Sequence, residues 1–77
     1  KVIEFDKTKR ILAFVATCVE ATARTLNISY KEVLTRMMSL GLIDNYIYPN
    51  YEVLHSESRE NIVKDLIECM QEWEGRA

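Results

Sequence analysis

The sequence predicts an all-α fold: a small three-helix bundle with a long aromatic connector, roomy enough for one extra short helical turn, between helices two and three. Three observations carry that prediction. Apolar residues recur at three- and four-residue steps in three separate stretches, no run alternates with a period of two, and only two Gly and one Pro interrupt the 77 residues. The chain reads as a single all-helical domain, residues 1–77, with its core in 6–73. That length is near the limit at which one hydrophobic core suffices.

Helix one is expected from Asp6 to Leu26. Ile11, Phe14, Val15, Cys18, Val19 and Leu26 form one apolar stripe, and Lys9, Arg10, Glu20 and Arg24 fall mainly off it. Asp6 has the chemistry of an N-cap and Asn27 that of a C-terminal stop. Val2, Ile3 and Phe5 make an apolar lead-in suited to covering one end of the core.

Helix two is the best delimited. Ser29-Tyr30-Lys31-Glu32 fits a capping box, in which hydroxyl and carboxylate each satisfy a free backbone N–H, and Ile28 is placed to staple onto Val33. Val33, Leu34, Met37 and Leu40 give its buried face. Gly41 ends it by taking the left-handed conformation, with Leu42 folding back on the last turn.

The connector is the unusual part. Asn45 to His55 holds three of the four tyrosines, the only Pro and the only His. Leu42 to Tyr48 has room for a single turn capped by Asp44, Pro49 disfavours helix at Tyr48, and Tyr51 to Leu54 reads as extended or loosely turned. Helix three should start near Ser56 or Ser58 and end near Trp73, on a stripe of Ile62, Val63, Leu66, Ile67, Met70 and Trp73. Glu57 and Glu60 suit its positive end. Glu74 to Ala77 reads as a frayed tail.

Composition excludes several classes. With 48% hydrophobic and 29% charged residues the chain is globular rather than disordered. No apolar run approaches the roughly 20 residues that span a bilayer, and no signal-peptide pattern opens the chain, so no membrane role and a cytoplasmic location are expected. Cys18 and Cys69, far apart and without a CxxC, read as thiols on apolar helix faces. Net charge is −2, made of +3 over residues 1–36 and −5 over residues 37–77. That balance argues against a strongly electrostatic nucleic-acid binder.

Chemistry-bearing patterns are sparse. His55, beside Ser56 and near Glu57, is the one candidate base, but adjacent residues cannot adopt the geometry of a triad around an oxyanion hole. No His/Cys/carboxylate spacing suits a metal, and no glycine-rich loop suits a phosphate. No cofactor and no enzymatic activity are expected. A helix-turn-helix reading places helix two and Gly41 as half of that motif, but the next element is broken by Pro49 and poor in positive charge. Tyr46, Tyr48 and Tyr51 with Ile47 and Leu54 suit closure of a small core, and tyrosine also suits interfaces. Tyr46, Tyr48, Tyr51, Leu54 and His55 are therefore the candidate partner-binding residues.

Arg24-Thr25-Leu26-Asn27-Ile28-Ser29, Lys31-Glu32-Val33, Gly41-Leu42-Ile43-Asp44, Tyr51-Glu52-Val53-Leu54-His55-Ser56 and Asn61-Ile62-Val63-Lys64-Asp65 together resemble the small bacterial proteins grouped as domain of unknown function 3791. The resemblance spans residues 8–73. It departs from the usual pattern at Asn45, which separates Asp44 from Tyr46. The family has no established activity. The resemblance implies an intracellular bacterial protein encoded beside other uncharacterised proteins, some similar to ADP-ribosyltransferases, and hence an accessory or antitoxin-like partner. The function expected is a protein–protein interaction module, its partner another protein or a second copy of itself, with DNA-binding transcriptional regulation as the alternative.

Overall fold

The computed structural model of the chain describes the backbone of residues 2–76 and the side chains of residues 7–75. It is all-helical: α1 (Val2–Leu26), α2 (Tyr30–Leu40), a wide π-type turn (Ile43–Ile47), α3 (Tyr51–Leu54) and α4 (Arg59–Arg76). No strand occurs among the described residues. α1 packs on α2 and on α4, and α2 packs on α4. The 25 residues of α1 make it the spine, about 37 Å long at 1.5 Å per residue.

Two chain reversals follow from local chemistry. Asn27 takes a left-handed φ of 59°. The Ile28 N–H reaches back to the Ala23 carbonyl at 3.1 Å and the Asn27 N–H to Arg24 at 3.3 Å, the two bonds that close a helix C-terminus. The chain then swings through 116° into α2. Ser29 caps that helix, its hydroxyl accepting from the Glu32 N–H at 3.0 Å. Gly41 ends it at φ 69°, donating to the Met37 and Met38 carbonyls.

The core is built from one stripe per element. α1 gives Ile11, Val15, Cys18, Val19 and Ala23, α2 gives Val33 and Met37, and α4 gives Ile62, Leu66 and Met70. Leu42, Ile47 and Leu54 come from the segment between α2 and α4. Thr22 is buried among them, and its hydroxyl has no hydrogen-bond partner among the described residues.

Several expectations need correction. α1 starts at Val2, so Asp6 lies inside the helix and does not cap it. The side chains of Val2, Ile3 and Phe5, expected to cover the core, lie outside the described residues. Asp44 does not cap the wide turn, which begins one residue earlier and has no side-chain cap. Tyr48 is helical at φ −62°, ψ −50° despite the following Pro49. Its N–H bonds the Ile43 carbonyl at 2.9 Å, and burial of Ile47 beside it overrides the local preference. Tyr51–Leu54 is α-helical rather than extended. The last helix runs past Trp73, because Glu74 is held from outside the helix.

Candidate functional site

The connector folds inward at two rings and a leucine. Tyr46 meets Trp73 edge to face, centroids 6.4 Å apart, and burial pushes its phenol above the ordinary value, helped by the carboxylate of Asp65. Tyr51 meets Phe14 edge to face at 5.4 Å. Leu54, offered as a partner-binding residue, is 5% exposed and belongs to the core. The backbone between these anchors is well bonded. Asn50 donates its amide to the Tyr46 carbonyl at 2.7 Å, and the Leu54 N–H bonds the Asn50 carbonyl at 2.8 Å.

The same segment also faces outward. Tyr48 is 42% and Val53 62% exposed, large apolar groups without cover in the monomer. His55 stacks on Tyr51 with centroids 4.7 Å apart, and its Nε2 lies 3.7 Å from Glu52, an ion pair when the ring is protonated. Lys7 reaches Glu52 from α1 at 3.4 Å, which ties α3 down at a second point. The Ser56 hydroxyl donates to the Val53 carbonyl at 2.8 Å, so it closes a turn instead of facing His55. Of the five residues singled out from sequence, Tyr48 and His55 face solvent, Tyr46 and Tyr51 are half-buried, and Leu54 is core. They do not form one surface. Val53 is the residue the sequence reading missed, because its apolar side chain in an apolar run reads as inward.

A second feature lies elsewhere. A groove of about 900 Å3 runs along the junction of α1 and α4. Ala21, Val63 and Ile67 give its apolar part, and Glu20, Arg24, Lys64 and Glu68 stand among its charged lining. A smaller cavity of about 320 Å3 shares Thr17, Ala21, Arg59 and Val63 with it and reaches His55 and Cys18. Burial pushes the Cys18 thiol up to about 11, against a smaller opposing pull from Arg59. A neutral thiol is a poor nucleophile, so Cys18 contributes packing rather than reactivity there. The sequence reading counted Ile67 as core, since a periodic stripe does not tell which of its edges stays uncovered.

Among the described residues no helix by itself is long and apolar enough to cross a membrane, and no group of three or more His, Cys, Asp or Glu is placed to hold a metal ion.

A family model described as Protein of unknown function (DUF3791) matches residues 13–73. No curated protein and no solved structure matches the chain.

Proposed function

The chain belongs to the DUF3791 family, and we propose that it works as a small, non-catalytic protein-interaction module whose partner docks on the outward side of the connector. One observation carries the reading. Tyr48 and Val53 are held out in solvent on a segment whose neighbours Tyr46, Tyr51 and Leu54 are pinned inward. Apolar side chains on an already ordered backbone lose little conformational freedom on docking, which leaves more of the buried-area energy as affinity. Glu52 and His55 add the polar rim that protein interfaces carry.

The partner is another protein, encoded nearby and active inside the cell, to which this chain is an accessory or antitoxin-like companion. The experiment is co-purification with the products of adjacent genes, repeated with Tyr48→Ala and Val53→Ser combined. Both positions are exposed, so helicity should be unchanged while a wild-type complex is lost. A complex that survives the double substitution rejects this surface. Retardation of promoter DNA at moderate salt, with no protein complex, would transfer the assignment to a helix-turn-helix regulator. Turnover abolished by His55→Ala without unfolding would sink the non-catalytic reading.

A further inference from the structure

We infer that the groove between α1 and α4 seats a second copy of this chain, paired about a two-fold axis. The residues involved are distinct from the outward connector, so this inference stands or falls separately from the connector reading.

The groove runs along the junction where α1 packs on α4. Its apolar part is the half-buried pair Ala21 and Ile67, beside the buried Val63. Ion pairs join Lys7 to Glu52, Arg24 to Glu20, Arg36 to Glu74 and His55 to Glu52. None of these crosses the groove. Its volume, about 900 Å3, is enough to admit side chains from a partner helix.

Charge says which helix. The lining holds three cations, Arg24, Arg59 and Lys64, and three carboxylates, Glu20, Glu60 and Glu68. They sum to zero, so long-range attraction favours neither a nucleic acid nor a peptide of one sign. The signs also alternate at helical spacing. On α1 the acid Glu20 precedes the base Arg24 by one turn, and both side chains are well exposed and 3.0 Å apart. On α4 the order is Glu60, Lys64, Glu68, again one turn apart.

A two-fold axis perpendicular to the helices, the arrangement inferred here, brings each helix against its own copy running the opposite way. Acid-then-base read backwards is base-then-acid, so Glu20 then faces the partner's Arg24 while Arg24 faces the partner's Glu20. The same antiparallel approach, offset by one turn, sets Lys64 against a carboxylate of the facing α4. A mixed-charge groove is therefore complementary to itself.

The test is a charge exchange read by sedimentation equilibrium. The wild-type mass should climb from 9.0 kDa towards twice that between micromolar and millimolar concentration. Glu20→Arg alone sets like charges against each other in the symmetric pair, and so does Arg24→Glu alone. Each should raise the concentration needed for dimerisation by about tenfold or more. An equimolar mixture of the two variants restores both opposite-charge pairs, and should dimerise as well as the wild type. Helicity should be unaltered, since each substitution removes only an exposed within-helix pair. A wild type that stays monomeric into the millimolar range overturns the inference. So do variants that dimerise like the wild type, or a mixture that fails to recover.

Discussion

The connector side and the α1–α4 side of the molecule face the same problem and meet it differently. Three long helices of this size leave gaps between them. On the connector side the gap is filled from within the chain, by Leu42, Ile47 and Leu54 in the core and by Tyr46 and Tyr51 packed edge to face on Trp73 and Phe14. On the α1–α4 side none of the described segments fills it, and a groove with a balanced charged lining remains. The difference teaches that closure here comes from the connector, and that the unclosed side is where association can still bury apolar surface.

The largest expected effect breaks the closed side. Ile47→Ala removes a fully buried side chain from the wide turn and should cost about 2–5 kcal/mol, read as a lowered denaturant midpoint. Lys64→Ala on the open side should move that midpoint little. Equal effects at both positions would erase the distinction between the two sides.

Gly41→Ala comes next. The left-handed φ of 69° disfavours a Cβ, and that Cβ would sit 2.8 Å from the Asn45 amide nitrogen, which can swing away. A loss of about 1–2 kcal/mol in chemical denaturation is expected, with the connector loosened first. Thr22→Val should go the other way. It keeps the shape and removes a buried hydroxyl with no partner, for a gain of about 1 kcal/mol seen as a raised melting temperature.

The smallest effect concerns a single tie between α2 and α4. Arg36 donates two hydrogen bonds to Glu74, at 2.8 and 2.9 Å, with both side chains about one-third exposed. Those bonds hold the Glu74 carboxyl below the ordinary range and raise the Arg36 guanidinium further. A lowered folded value means the tie stabilises above the ordinary Glu range, near 4.3, and is lost as pH falls through the folded value. Solvent screening keeps it under about 1 kcal/mol. Glu74→Gln should flatten that part of the acid-unfolding curve and little else.

How much was legible depends on how far each interaction reaches along the chain. The C-terminal end of α1 and both ends of α2 were readable because Asn27, Ser29 and Gly41 act on groups within five residues of themselves. The turn at Tyr48 was not, since burial of Ile47 outweighs the bias of Pro49. The tail was not either, because Glu74 is held by a residue 38 positions away. Within the candidate surface, sequence marked Tyr48 and His55, which face solvent, but also Leu54, which is core, and passed over Val53. Composition and spacing cannot say which way a side chain in a short irregular segment points.

By itself the sequence determined the all-α class, the caps and stops that delimit α2, the apolar stripes and the family resemblance. These depend on periodicity and on bonds closed within a turn or two. Only the tertiary structure decided that the connector is mostly helical, which of its side chains face out, and that a groove edged by the half-buried Ala21 and Ile67 runs along the junction of α1 and α4. Those features depend on how side chains distant in sequence compete for the same core volume, and no local pattern encodes the outcome of that competition.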